Sequence, residues 1–323
     1  MTIERVLVTG AAGFIGYALA KTLADRPNTH VVVVDNMIRG EDDSDYKALC
    51  ARPNVTRIDI DLTDQQAVLT KLPDDIDRVF HMAALNGTQN FYERPFEVVR
   101  CCTLPTIFLL EKYGPLNIKR FIYAGTSESY ASTVTRFNWP VPTSEDVPLS
   151  IDDPSKARWS YGGSKMHGEI ATHNAARHFR LPYSVIRYHN LYGPRMGDKH
   201  VVPDFYIRAR KGIFELYGYE DTRAFMYIDD GIAATIAVAY AENCSGQTVN
   251  IGAQKETRIL DLGREMMEAA SLKGEIVLHP SPPDSVKRRA PDVSKLLALT
   301  DFFEKWTLKD GLRETARFYL GGH

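Results

Sequence analysis

Short apolar runs alternate with longer helical patterns from the first residues to about position 188. The short runs predict strands at Arg5–Val8, His30–Asp35, Val55–Asp59, Arg78–Met82, Arg120–Ala124 and Tyr183–Arg187. The longer patterns predict helices at Phe14–Asp25, Asp64–Lys71, Phe96–Lys112 and Tyr161–His178, with Asp64 as an N-cap. Such alternation implies an α/β chain with a doubly wound parallel sheet, covered by helices on both faces. After residue 188 turn-rich pieces such as Tyr192-Gly-Pro-Arg195 and Ser281-Pro-Pro-Asp284 break the rhythm, with shorter helices at Asp229–Ala241 and Leu260–Ser271. This predicts two domains. Residues 1–187 carry the main sheet, and 188–323 form a smaller substrate-facing α/β domain, some of whose segments return to the first.

Where the first strand turns into the first helix lies Thr9-Gly10-Ala-Ala-Gly13-Phe14-Ile15-Gly16. Glycines there permit a tight turn, a close backbone approach to a pyrophosphate and close helix–strand packing. The helix start then offers unpaired N–H groups to the phosphates. At the end of the second strand Asp35, followed by Asn36, can bond a ribose 2′-hydroxyl and would repel a 2′-phosphate. The cofactor implied is NAD. A plain turn role before Asn36 is the alternative for Asp35.

Tyr161 and Lys165, four residues apart, share one face of a helix. A phenol is a poor base at neutral pH. The lysine ammonium and a positive nicotinamide ring would lower its pKa, so that Tyr161 can take the proton of a substrate hydroxyl while hydride leaves the carbon. An isolated pair would read as a solvated helix face; the glycine loop upstream favours chemistry.

Composition adds boundaries. The chain has 323 residues, 25% charged, with a net charge of −2, which argues against a broad nucleic-acid or membrane surface. Cys50, Cys101, Cys102 and Cys244 lack metal-ligand spacing, so no metal is expected and free thiols in a reducing compartment are. The first residues form no targeting segment and no apolar run reaches spanning length, so the expected location is the cytoplasm.

The loop Thr9–Gly16 resembles that of the short-chain dehydrogenase/reductase superfamily with its Rossmann-like fold, and in its TGAAGFIG form the extended branch, the NAD-dependent nucleotide-sugar epimerase/dehydratase family. Further matches run along nearly the whole chain. Asp61-Leu62 resembles the family's adenine-contacting pair, His81-Met-Ala83-Ala84 its HxAA, and Arg187-Tyr-His-Asn190-Leu-Tyr-Gly-Pro194 its RxxNxYGP. Thr126-Ser127-Glu128-Ser129-Tyr130 resembles the segment in which Thr126 would bond the reacting oxygen and Tyr161, with Ser127 and Glu128 beside the sugar. By the same resemblance Arg223 and Arg289 clamp the two phosphates of a nucleotide-diphosphate sugar and Asn190 helps; Arg288 reads as a surface salt-bridge partner. Val201-Val202-Pro203 and Phe214–Tyr217 would flank the base or serve the core. Relatives commonly pair through the helix of Tyr161 and its neighbour, which implies a homodimer.

The chain also departs from the family's pattern. Cys102 stands where an asparagine is usual, with Pro105-Thr106 for Gly-Thr, and Ser129 and Ala131 replace valine and glycine beside the sugar. The loop Tyr217–Asp221 is unusual, and a proline-rich insertion from Asn138 to Trp159 would line or cover the cleft.

The activity this implies is epimerisation at C4 of the sugar through a 4-keto intermediate, favoured by the YGxSKxxGE context of Tyr161 to Glu169. Two alternatives share the first oxidation: nucleotide-uronate decarboxylation, supported by Thr126-Ser127-Glu128 with Thr222-Arg223-Ala-Phe225, and 4,6-dehydration, supported by the first of these alone. A third alternative is a non-catalytic, NAD-binding regulatory relative, which would usually lack the Tyr, the Lys or the Thr.

Overall fold

Val6, Leu7 and Val8 in β1 (Glu4–Thr9) and Val31 to Val34 in β2 (Thr29–Asp35) are fully buried. Both faces of these strands are covered, which is why their sequences run apolar without alternating. The computed structural model describes residues 2–281 and 286–321. Residues 282–284 of the predicted Ser281–Asp284 turn lie outside the described residues.

The sheet continues with β3 (Val55–Asp59), β4 (Arg78–His81), β5 (Arg120–Thr126) and β6 (Tyr183–Tyr188). It is seven-stranded, ordered β3-β2-β1-β4-β5-β6 with Gln247–Ile251 at the far edge. β1 pairs in parallel with both β2 and β4, β2 with β3, and β4 with β5. The chain therefore winds away from β1 in both directions. The gap where it reverses opens at the C-terminal ends of β1 and β4, where such sheets bind nucleotides.

Seven helices occupy the first part of the chain: α1 (Phe14–Ala24), α2 (Ser44–Cys50), α3 (Gln65–Lys71), α4 (Thr88–Glu93), α5 (Pro95–Tyr113), α6 (Ala131–Phe137) and α7 (Trp159–Phe179). Asp64 caps α3 as predicted, its side chain accepting the Ala67 N–H at 3.1 Å. Leu109, Leu110 and Tyr113 of α5 pack with Leu7, Val32, Val34, Phe121 and Val185 in the core.

The chain divides into two compact units, and not by a single cut between residues 187 and 188. The first unit comprises Met1–Ser129, Asp153–Arg187 and Ile236–Val249; the second comprises Tyr130–Asp152, Tyr188–Thr235 and Asn250–His323. Tyr130–Asp152, expected in the first domain, is tied instead into the second unit. Thr143 N–H donates to the Ala290 carbonyl at 3.0 Å, and the Thr143 carbonyl accepts Asp292 N–H at 2.9 Å. The buried Asn250 ties the segment in further, its Nδ2 donating to the carbonyls of Thr143 and Asp292 and its Oδ1 accepting from Tyr130 Oη at 2.8 Å.

In the second unit Thr222–Ala224 is the middle of a three-stranded sheet, antiparallel to Glu256–Arg258 and parallel to Arg288–Arg289. Of the predicted helices Ile259–Ala269 lies in this unit and Ile228–Tyr240 runs from it into the first, and unpredicted helices appear at Val201–Ala209, Ser294–Leu299 and Leu308–Leu320. Among the described residues no helix is long and apolar enough to cross a membrane, and no group of three or more acidic, His or Cys side chains can hold a metal ion.

Candidate active site

The glycine loop is built at van der Waals contact. Gly10 has φ +69°, and a Cβ on it would lie 2.8 Å from the Ala83 Cα beyond β4. A Cβ at Gly16 would lie 2.0 Å from the Gly10 carbonyl oxygen. No side chain fits at either position, so the backbone of the loop faces outward at the start of α1. That helix begins at Gly13 without a capping side chain, and Phe14 and Ile15 are half-buried in its first turn. This is the backbone cradle a pyrophosphate needs.

Asp35 braces the same loop. Its Oδ2 accepts the Ala12 N–H and its Oδ1 the Met37 N–H, both at 2.9 Å. Each carboxylate oxygen keeps a second lone pair, so the turn role and a ribose-binding role are compatible. Asn36 is spent locally on the Ile38 N–H, and Asp61 on the Thr63 N–H. Leu62 points into the core, which leaves only its backbone for an adenine. Ala84 packs beside a small cluster of Leu85, Phe91, Val98, Cys102 and Tyr161.

Beneath the cradle His81 joins two hydroxyls. Thr9 pairs with His81 in the β1–β4 register, and its Oγ1 lies 2.9 Å from Nδ1, while Nε2 lies 3.0 Å from Thr106 Oγ1. Thr9 Oγ1 accepts the Ala83 N–H and Thr106 Oγ1 donates to the Cys102 carbonyl. The chain of bonds therefore runs from the Ala83 N–H through Thr9 to Nδ1, and from the Nε2 proton through Thr106 to Cys102. Burial, with Lys165 nearby, pushes the imidazole down to about 3, so His81 is neutral at physiological pH.

Thr126, Tyr161 and Lys165 come together at the C-terminal end of β5. Thr126 hydrogen-bonds Tyr161, and its Oγ1 accepts the Glu128 N–H at 3.2 Å. Lys165 Nζ donates to the Ala124 carbonyl at 2.8 Å and lies 6.0 Å from the Tyr161 ring centre. Here the sequence reading needs correcting. The protein's own groups raise the phenol rather than lower it, burial first and Cys102 second, with the Thr126 bond opposing. The ammonium is turned to a backbone carbonyl, and its own pKa is lowered by burial. The expected lowering of the phenol therefore depends on the positive nicotinamide.

Ser127 and Glu128 occupy the 3₁₀ turn Ser127–Tyr130, Ser127 buried and Glu128 bonded to Arg158. Cys102 is buried among Leu85, Phe91 and Tyr161, its thiol raised by burial. In the second unit Arg223 and Arg289 are direct partners in strand register, and Arg223 Nη1 donates to the Thr222 and Lys287 carbonyls. Asn190 Nδ2 donates to the Ala224 carbonyl at 3.3 Å in the next stretch of the same strand. Arg288, by contrast, forms an exposed bidentate pair with Glu256. Val202 and Pro203 are buried, as is Leu216, while Tyr217 is exposed and stacked on His279.

Sequence reasoning missed two residues. Phe91 stacks on the Tyr161 ring, centroids 5.0 Å apart and planes 12° from parallel. It lies in α4, whose Asn-Gly-Thr-Gln-Asn start carries no helical apolar period. Arg158 was hidden by ordinary spacing, although a cation three residues before the tyrosine falls on the same helix face.

Residues 6–252 match the NAD dependent epimerase/dehydratase family. Over 98% of its length the chain is 32% identical to UDP-N-acetyl-alpha-D-glucosaminuronate decarboxylase of Bacillus cytotoxicus, covering 98% of that protein. The structure is similar to that of UDP-glucuronic acid 4-epimerase from Bacillus cereus in complex with UDP-glucuronic acid and NAD, with a TM-score of 0.87, 27% identity, and coverage of 98% of this chain and 99% of that one. It is also similar to UDP-glucose 4-epimerase of Thermotoga maritima with UDP-glucose, at a TM-score of 0.86, 26% identity and the same coverage. Matched along most of its length and folded alike, the chain belongs to the NAD dependent epimerase/dehydratase family.

Proposed function

We propose that the protein is a nucleotide-uronate decarboxylase, which oxidises C4 of a UDP-linked uronate and then releases its carboxyl group. Membership of the family makes it an NAD-dependent enzyme of the nucleotide-sugar epimerase/dehydratase type. Bound NAD would take the C4 hydride and return it. The residues that would hold it are the loop Gly10–Gly16, Asp35, Asn36, the Asp61-Leu62 and Ala83-Ala84 backbones, Tyr161 and Lys165. Tyr161 takes the proton of the C4 hydroxyl, helped by the Thr126 hydroxyl, and gives it back at the end. The ketone so formed is β to the carboxylate, so the C5–C6 bond can break to carbon dioxide and an enolate. C5 then takes up one solvent proton. Ser127, Glu128, Asn190, Arg223 and Arg289 would hold the sugar and its diphosphate.

The observation that carries this reading is the 32% identity, over 98% of the chain, to a nucleotide-uronate decarboxylase, together with Glu128, whose N–H bonds Thr126 Oγ1 and whose carboxylate bonds Arg158. Both the Bacillus cytotoxicus and the Bacillus cereus proteins are named for nucleotide-linked uronates, which supports the substrate class. The sequence alone put epimerisation first; the nearly full-length likeness to a decarboxylase moves it to second. Epimerisation keeps support from the fold's similarity to a uronate 4-epimerase.

The test is product mass after incubation with UDP-glucuronic acid, UDP-N-acetylglucosaminuronic acid and UDP-glucose. Loss of carbon dioxide from a uronate is expected. An isomer of unchanged mass would make the enzyme an epimerase, and loss of water a dehydratase. We also propose a homodimer joined through α5 and α7, since Phe96 and Val99 on the first and Ile170 on the second are exposed. A monomer in sedimentation equilibrium would overturn that pairing.

A further inference from the structure

Glu128 is held at two points. Its backbone N–H donates to Thr126 Oγ1 at 3.2 Å, the hydroxyl that bonds Tyr161. Its Oε2 accepts from Arg158 Nη2 at 3.0 Å, with the two side chains 24% and 21% exposed. Arg158 itself is anchored at the start of α7, where its carbonyl accepts the N–H of Tyr161 at 3.3 Å and of Gly162 at 3.2 Å. Its guanidinium lies 5.7 Å from the Trp159 ring centre. Gly162 also lies close by: a Cβ there would be 3.1 Å from Trp159 Cε3 and in ordinary contact, 3.8 Å, with Glu128 Cβ. The carboxylate beside the reacting hydroxyl is thus bonded to the residue that starts the helix of the reacting phenol.

We propose that Arg158 is a positioning residue that fixes the Glu128 carboxylate against the first turn of α7 and offsets its charge toward an anionic sugar. This rests on the nucleotide-uronate reading. A bare carboxylate would repel a sugar carboxylate brought close to it. A paired one keeps a single orientation and presents little net charge. A guanidinium does this better than a flexible ammonium because its planar fork is pre-organised.

The test is a mutant cycle on the NAD-loaded enzyme with UDP-glucuronic acid, comparing Arg158→Gln, Arg158→Lys, Glu128→Gln and Arg158→Gln/Glu128→Gln. Arg158→Gln should lower kcat about 10²-fold, as a misplaced group near the reacting centre does. Its acidic limb of kcat/KM should move to higher pH, because losing the guanidinium favours the protonated carboxyl. Arg158→Lys keeps the charge and should recover most of the loss. In the Glu128→Gln background Arg158→Gln should change kcat by no more than about twofold. If the two losses multiply, or the Arg158→Gln pH profile overlays that of the wild type, Arg158 does not act through Glu128. A wild-type enzyme inert to uronates but active on a neutral nucleotide sugar would overturn the substrate reading alone. The same cycle run on that sugar would still decide whether the two residues are coupled.

Discussion

Tyr161→Phe should lower turnover of the nucleotide sugar by about 10²- to 10⁴-fold, the usual contribution of a positioned proton acceptor, and leave the fold nearly unchanged. The ring stays buried and stacked on Phe91, so only the hydroxyl is lost. What disappears is the atom that receives the substrate proton and the partner of Thr126. The wild-type rate should also climb with pH across the neutral range. The protein raises the phenol above its ordinary value of 10, so its basic form becomes more populated toward alkaline pH. The variant should lose that dependence. Steady-state kinetics would decide it, with thermal unfolding as the control. A variant that retained a tenth or more of the wild-type rate would remove Tyr161 from the chemistry.

Arg187→Met should cost the first unit about 3–5 kcal/mol of stability, because it leaves a buried carboxylate unpaired. Arg187 Nη2 lies 2.8 Å from Glu169 Oε2, and Nε lies 3.1 and 3.2 Å from the two carboxylate oxygens, with both side chains nearly excluded from water. The double variant Arg187→Met/Glu169→Leu should recover most of the loss, since apolar replacements spare both desolvation costs. Urea unfolding of both variants against the wild type measures this. A single variant within about 1 kcal/mol of the wild type would mean that water reaches the pair, as at an exposed bridge.

Residues fixed by local geometry show in the sequence, whereas those fixed by distant contacts do not. Tyr161 and Lys165 were legible because helical spacing puts them on one face, and Gly10 and Gly16 because only glycine fits that turn. The strands of the main sheet were legible for a related reason: buried on both faces, they leave continuous apolar runs such as Val31–Val34. Contacts made by distant segments left no such trace. Phe91 meets Tyr161, Arg158 meets Glu128, and Gln247–Ile251 completes a sheet whose other strands end at Tyr188. The membership of Tyr130–Asp152 left no trace for the same reason. Tyr130–Asp152 follows a strand of the first unit in sequence, but Thr143 and Asn250 bind it to the second. The direction of the Tyr161 shift needed the coordinates as well, since sequence spacing cannot say that Lys165 turns to the Ala124 carbonyl.

Two glycines let α7 lie close against β5. A Cβ at Gly168 would lie 2.0 Å from Tyr123 Oη, and one at Gly125 would lie 2.8 Å from Glu169 Oε1. Between them Tyr123 Oη donates to the Lys165 carbonyl at 3.2 Å. Helix α7 therefore comes close to β5 at these two glycines, with the Tyr123 ring wedged against its main chain. A methyl group at Gly168 would prise the helix off the strand, and with it Tyr161 off Thr126.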